Sequence, residues 1–337
     1  MSALGVGDGL YGLTLLDPQG VLVDLSAPTR TGRSIILWLR DAPPTLGMPW
    51  LADMAARLAA IETALYCVLC AAPPGDAVDP ADLPVLVDPE RTLARAAGLE
   101  GPGLIVLGAD QRVVAVLSGD DPHAALAVCA QAHGRTAAVE VAAQAPAHMV
   151  RDVFEPDLCV ALIAAWEAGE KRSDMVAMHS AATEQAQPDL KRRADVAVND
   201  SNLLKAVRGR IERRLVPEIL RAFQYRVRFF EGVRVGCYDS AAGGYFRRHR
   251  DNTTSLTASR RFAVSINLNT GDYEGGQVRF PEYGQALYSP PRGGAVVFSC
   301  ALLHEALPVT AGRRFGAFTF AFEPAPETAP NPAGTGT

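Results

Sequence analysis

No stretch of this 337-residue chain approaches the ~18 consecutive apolar residues of a membrane-spanning helix. The first residues lack the charged-then-apolar pattern of a secretory leader, so none is expected. Positive charge is not in excess either. The formal net charge is −5, which supplies no overall basic field of the kind that gathers nucleic acid. Cysteine is sparse and scattered, at Cys67, Cys70, Cys129, Cys159, Cys237 and Cys300, each in apolar surroundings. Such thiols are expected to be buried and reduced, which fits a cytoplasmic protein. Cys67 and Cys70 have CxxC spacing but lie in the apolar run from Ala64 to Ala72, which reads as a buried strand. Residues three apart on a strand leave opposite faces, which disfavours a redox pair.

The chain does hold ample apolar material for two cores. Hydrophobic residues make up 48% of it, and its length exceeds the usual single-domain range. Residues 1–135 alternate short apolar runs with amphipathic ones. They predict a hairpin around Asp17-Pro18-Gln19-Gly20, buried strands over 34–39 and 64–71, and a helix over 48–60. A strand over 83–87, a helix start at Asp88-Pro89-Glu90, a hairpin around Gly108-Ala109-Asp110-Gln111 and a helix over 122–131 complete an α/β sandwich. Residues 136–148 read as a linker, with a strand over 136–143 that pairs within the second domain as the alternative. That second domain is placed over 149–324. It opens with a helix from Phe154 to Ala168 and contains a long amphipathic helix over 202–223. Residues 325–337, rich in Pro, Ala, Gly and Thr, are expected to form a mobile tail.

The residues with the most distinctive chemistry fall in this second domain. His249 and Asp251 stand two apart in Arg248-His249-Arg250-Asp251. On a strand they leave the same face and can reach one ion together. His304, arriving from a distant strand, completes a set of two imidazoles and one carboxylate. That set leaves positions open for oxygen and a cosubstrate, and it suits non-haem Fe(II).

This pattern, with Tyr238, the Gly275-Gly276 pair and Arg314, resembles the double-stranded β-helix (jelly-roll) core of the Fe(II)/2-oxoglutarate dioxygenases. The similarity is to the prolyl-4-hydroxylase-like branch and spans roughly the C-terminal half of the chain. It implies that His249, Asp251 and His304 hold Fe(II). It also implies that Arg314, ten positions after the distal His, grips the far carboxylate of 2-oxoglutarate, a task that two parallel guanidinium hydrogen bonds suit. Arg313 is the near miss. Tyr238 matches a tyrosine that the branch carries ahead of its His-x-Asp. Asn267 stands where the family often places a polar residue facing 2-oxoglutarate; a polar side chain at a sheet edge is the alternative. The implied reaction consumes O2, with ascorbate as a stimulant, and releases succinate and CO2. It hydroxylates an unactivated C–H bond of a prolyl or other residue in a peptide or protein, or of an amino-acid-like small molecule. Halogenating relatives put a small residue at the position of Asp251, so hydroxylation is favoured. Arg247, on the strand face of His249 and Asp251, or Arg279 is expected to meet an acidic group on the substrate. Arginines cluster between Arg208 and Arg261, and those on the 202–223 helix read as a solvated face.

Residues 1–135 resemble the thioredoxin-like fold in its peroxiredoxin variety. In that family the reactive cysteine sits in the loop that here reads Arg40-Asp41-Ala42-Pro43-Pro44-Thr45-Leu46-Gly47-Met48-Pro49, which has none. Without a thiolate there is no nucleophile for peroxide. The half-chain is therefore expected to act as a scaffold, a homodimerisation surface or a docking module. Two competing functions follow: a non-catalytic metal-binding protein whose thioredoxin-like half binds a partner, and a thiol peroxidase, which the missing cysteine disfavours.

Overall fold

Apolar runs without alternation belong to strands covered on both faces, and this governs the first half of the chain. The computed structural model describes residues 3–42, 50–70, 83–134, 140–141, 143–177 and 183–323. The loop over 43–49, linker residues 136–139 and 142, and the tail lie outside the described residues. The chain divides into two units, Met1–Glu140 and Val141–Thr337.

In the first unit, Ser34–Arg40 and Thr63–Leu69 pair in parallel within a seven-stranded sheet. Val85–Val87 extends the parallel set, and the Thr14–Leu16/Leu22–Asp24 hairpin closes that edge. Gly103–Leu107 and Val113–Ser118 close the other edge in antiparallel register. One face buries Ile36 and Trp38 against Met54 of the Trp50–Ala60 helix and Leu126 of the Pro122–Gly134 helix. The opposite face buries Ile35, Leu37 and Leu39 against Leu93 and Ala94 of the Thr92–Ala96 helix. Cys67 and Cys70 fall into separate clusters. Burial pushes the Cys67 thiol up to about 11 and raises that of Cys70, so neither is a ready thiolate at neutral pH. No described helix is long and apolar enough to cross a membrane.

The second unit is built on two main antiparallel sheets, of eight and five strands, beside two short two-stranded ones, in agreement with a jelly-roll layout. The larger runs Ala147–Val150, Ala295–Ser299, Arg260–Asn267, Arg313–Phe322, Arg234–Asp239, Ala194–Ala197, Arg172–Ser173, with Phe229–Phe230 paired to Arg313–Phe322. The smaller runs Lys191–Arg192, Tyr245–His249, His304–Ala306, Val278–Arg279, Leu287–Tyr288. Period-two alternation sorts the long Arg313–Phe322 strand. Phe315 and Ala317 join a helix-covered core with Leu162, Trp166, Ile211 and Ile219. Arg314, Phe318 and Phe320 line a cavity instead. Trp166 meets Phe315 edge-on with ring centroids 5.1 Å apart, which ties the Pro156–Ala168 helix to the sheet.

Two expectations about this unit change. The end of the expected linker is structural: Ala147–Val150 pairs with Ala295–Phe298, and the Ala145 amide donates to Tyr288 Oη at 3.0 Å. Those backbone groups are better satisfied in the sheet than in an exposed tether. The long helix is also not regular throughout. Ser201–Arg210 passes into π-helical turns over Ile211–Leu215 before Val216–Phe223. Pro217 has no N–H to donate, and the wider turn accommodates it.

Gly293 turns the chain into Ala295–Ser299 with φ +74, and its carbonyl accepts from the amides of Val153 and Phe154. A Cβ there would collide with the Phe154 carbonyl oxygen. Gly293→Ala should therefore lower stability by about 2–4 kcal/mol, checked by denaturant unfolding. An unchanged midpoint would contradict this account of the turn.

Candidate active site

Cross-strand register brings the histidines together. His249, last residue of Tyr245–His249, is the direct partner of His304, first residue of His304–Ala306. Asp251 lies two residues beyond the end of its strand rather than on it, and its amide donates to the Cys300 carbonyl at 2.9 Å. The anchored turn does what strand alternation was expected to do. Asp251 Oδ1 lies 3.4 Å from His249 Nε2, and Oδ2 lies 3.4 Å from His304 Nε2. One ligand atom from each of the three residues falls within 4.8 Å of the others.

The imidazoles are set for ligation. His249 Nδ1 lies 2.7 Å from the Arg247 carbonyl, and His304 Nδ1 lies 3.0 Å from that of Leu302. A carbonyl only accepts, so each Nδ1 carries a proton and Nε2 is the nitrogen turned toward Asp251. Burial pulls His304 down to about 4, which keeps it neutral at physiological pH. Burial opposes ionisation of Asp251, but His304, His249 and Arg260 outweigh it and hold the carboxyl well below its usual range. Phe246 stacks on His249 with centroids 3.5 Å apart, and Phe298 contacts His304 at 4.6 Å. Two imidazoles and one carboxylate, packed from behind and facing a cavity, fit a divalent metal that keeps coordination positions free.

That cavity lies between the two sheets and measures about 530 Å³ counting its open mouth. His249, Asp251 and His304 line it, with Tyr238, Arg314, Phe246, Phe318 and Arg193 among their neighbours. Arg314 is 2% exposed. Its Nη2 donates to Asn267 Oδ1 at 2.9 Å and approaches Ser265 Oγ at 3.5 Å. Its Nε and Nη1 have no partner among the described residues. Arg313 instead pairs outward with Glu167 at 2.9 Å. Tyr238 is the register partner of Arg314 on the adjacent strand, and the Arg314 guanidinium carbon lies 5.2 Å from its ring centroid.

Asn267 is not an edge residue, because its strand is paired on both sides. Nor does it line the cavity. Its Nδ2, with two hydrogens, lies within 3.0–3.3 Å of three acceptors, Thr270 Oγ1, Tyr273 Oη and the Pro290 carbonyl, which fixes the oxygen that holds Arg314. Arg247 and Arg279 do not line the cavity either. A register shift between Phe246 and His249 breaks the alternation that would have put Arg247 on the face of His249. Arg247 is exposed, donates to the Asp189 carbonyl at 2.7 Å and lies over Tyr245. Arg279 is held by Glu305 at 2.6 Å and by Gln285 at 2.9 Å.

Residues 191–195 bring a further set of charged side chains to the site. Arg193 forks onto Asp195 through Nε at 2.6 Å and Nη2 at 2.9 Å, and Nη1 donates to Tyr238 Oη at 3.1 Å. Lys191 Nζ reaches Asp195 at 2.8 Å and the Met175 carbonyl at 2.9 Å. Arg193 lies between the Lys191–Arg192 and Ala194–Ala197 strands, and the Arg-x-Asp spacing was the available signal.

Comparison with known proteins bears on this unit. Residues 233–322 match the family model of the 2OG-Fe(II) oxygenase superfamily. The matched segment lies within the second unit and includes His249, Asp251, His304 and Arg314; the chemistry of that superfamily uses Fe(II) and 2-oxoglutarate. The chain is 25% identical over 128 residues to a PKHD-type hydroxylase of Synechococcus sp. strain JA-3-3Ab, covering 34% of this chain and 56% of that protein. It therefore spans only about half the length of this curated relative. Among solved structures, a Pseudomonas putida prolyl-4-hydroxylase is similar at 19% identity and a TM-score of 0.41, covering 53% of this chain and 94% of that one. A Chlorobium tepidum thiol:disulfide interchange protein DsbE is similar at 25% identity and a TM-score of 0.33, covering 39% of this chain and 99% of that one.

Burial, with Arg193 close by, pulls the Lys191 ammonium down from 10.5 to about 8. Between these values the unfolded chain binds the extra proton, so stability rises with pH across the window and the penalty is fully present below it. Relative to Lys191→Met, the native protein should gain on the order of 3 kcal/mol from pH 8 to 10.5. Denaturant titrations over this range check it, and parallel curves for the two proteins would contradict it.

Proposed function

We propose that this chain is an Fe(II)- and 2-oxoglutarate-dependent hydroxylase acting on an unactivated C–H bond. The observation that carries the reading is one cavity that presents both ends of a cosubstrate site. At one end, two imidazole Nε2 atoms flank a carboxylate; at the other, a buried guanidinium has unpaired donors. His249, Asp251 and His304 would hold the metal, and Arg314 with Tyr238 would hold the far carboxylate of 2-oxoglutarate. Ferrous iron bound there would supply O2 reduction coupled to decarboxylation of 2-oxoglutarate, giving succinate, CO2 and one oxygen atom inserted into C–H. Asn267 restricts Arg314 to one orientation by accepting from Nη2. Phe246, Phe298, Phe318 and Phe320 make an apolar wall that limits water around the reacting groups.

The substrate class we favour is a prolyl or other amino-acid side chain in a peptide or protein, or an amino-acid-like small molecule. The branch resemblance and the hydroxylase names of the similar proteins support it. The presence of Asp251 favours hydroxyl over halide transfer. For the first unit we favour a thioredoxin-like docking or dimerisation module in a cytoplasmic protein; its buried, protonated cysteines are in keeping with that. A non-catalytic metal-binding protein is the competing reading, and it predicts no succinate.

Purified protein given Fe(II), ascorbate and 2-oxoglutarate should release succinate, and His304→Ala should abolish both metal retention and turnover. Normal succinate release by that variant would refute the metal assignment. Arg314→Ala should raise the KM for 2-oxoglutarate about 10–100-fold by removing charge-assisted bonds, with metal affinity unchanged. Equal KM values for variant and native protein would remove Arg314 from the site.

A further inference from the structure

Arg193 and Arg314 are buried beside Tyr238 at one side of the cavity, and a third buried cation, Lys191, meets Arg193 on Asp195. Lys191 and Arg193 share a single carboxylate, Asp195, while Arg314 bonds only the neutral Asn267 and Ser265. Such a surplus of buried positive charge is costly unless an anion completes it. Tyr238 lies between two guanidiniums, with Arg193 5.5 Å and Arg314 5.2 Å from its ring centroid.

The three Arg193 donors divide into two tasks. Nε and Nη2 grip both oxygens of Asp195, which removes the rotational freedom of the guanidinium. Nη1 is then presented to Tyr238 Oη at 3.1 Å. A guanidinium can only donate, so the phenol oxygen accepts in this contact, and its single proton is left to donate elsewhere. Tyr238 Oη makes no other hydrogen bond among the described residues, and Tyr238 faces the cavity beside the unpaired Nε and Nη1 of Arg314.

We propose that Arg193 is a positioning residue for the cosubstrate: anchored on Asp195, it occupies the acceptor side of Tyr238 so that the phenol O–H serves as a donor to the far carboxylate alongside Arg314. This rests on the hydroxylase reading and adds to it a residue from outside the matched segment 233–322. Arg193 never touches the carboxylate in this arrangement. It acts only through Tyr238, so its effect disappears once the phenol oxygen is gone.

The test is a double-variant cycle read by calorimetric binding of 2-oxoglutarate to the Mn(II)-loaded full chain, with Mn(II) affinity and thermal stability measured separately. Arg193→Gln and Tyr238→Phe should each weaken 2-oxoglutarate binding about tenfold, with Mn(II) affinity unchanged, and the double variant should bind no more weakly than Tyr238→Phe alone. In turnover, KM for 2-oxoglutarate should rise while kcat at saturation holds. Should Arg193→Gln not fold, Arg193→Lys keeps a charge on Asp195 yet cannot reach carboxylate and phenol together, and the same pattern is expected of it. Losses that multiply in the double variant, or native affinity in a folded Arg193 variant, would overturn the proposal while leaving the hydroxylase reading in place. Native protein with no affinity for 2-oxoglutarate would overturn both.

Discussion

A guanidinium almost wholly out of water, with two of its three nitrogens unpaired, is the constraint around which the second unit is arranged. An isolated buried charge costs several kcal/mol, and proteins keep one mainly where a ligand or partner completes it. Arg314 cannot swing out to solvent. It sits near the start of a strand paired on both sides, opposite Tyr238, with Nη2 tied to Asn267. Asn267 is itself immobilised by Thr270, Tyr273 and the Pro290 carbonyl. The unmet hydrogen-bonding capacity is therefore fixed in place and directed into the cavity before any ligand arrives, which is the condition for tight, oriented binding.

The facing sheet solves a different problem. Its histidines must present Nε2, and the backbone carbonyls of Arg247 and Leu302 accept from Nδ1 and so turn Nε2 toward Asp251. Stacking of Phe246 on His249 and contact of Phe298 with His304 restrict the ring planes. Asp251 is held through its backbone amide rather than by strand geometry. The same burial that lowers His304 makes the site selective for a charged occupant, since an ionised carboxylate in that surrounding gains most from a cation between the two rings.

Much of the architecture was legible because it rests on local patterns. The buried run at 34–39, the hairpin around Asp17–Gly20 and the amphipathic stretch over 202–223 each appear as elements. Interruption of that last stretch by π turns depended on how one proline is accommodated, which periodicity does not express. For Arg247 the alternation rule failed, because the strand shifts register between Phe246 and His249. A single extra residue moves a side chain to the other face, and nothing in Tyr245-Phe246-Arg247-Arg248-His249 announces it. Arg193 and Asp195 lie more than forty residues before Tyr238, so no local motif could connect them.

The spacing of histidine, acid and arginine, the paired glycines and the absence of a loop cysteine are properties of covalent order, and covalent order alone was enough to suggest the chemistry. Which arginine faces inward, what holds Asn267, and how Tyr238 comes to lie between two guanidiniums were decided only when strands distant in sequence were laid side by side. Hydrogen bonds and burial are satisfied between elements rather than along them, so the roles of these side chains exist only in the folded chain.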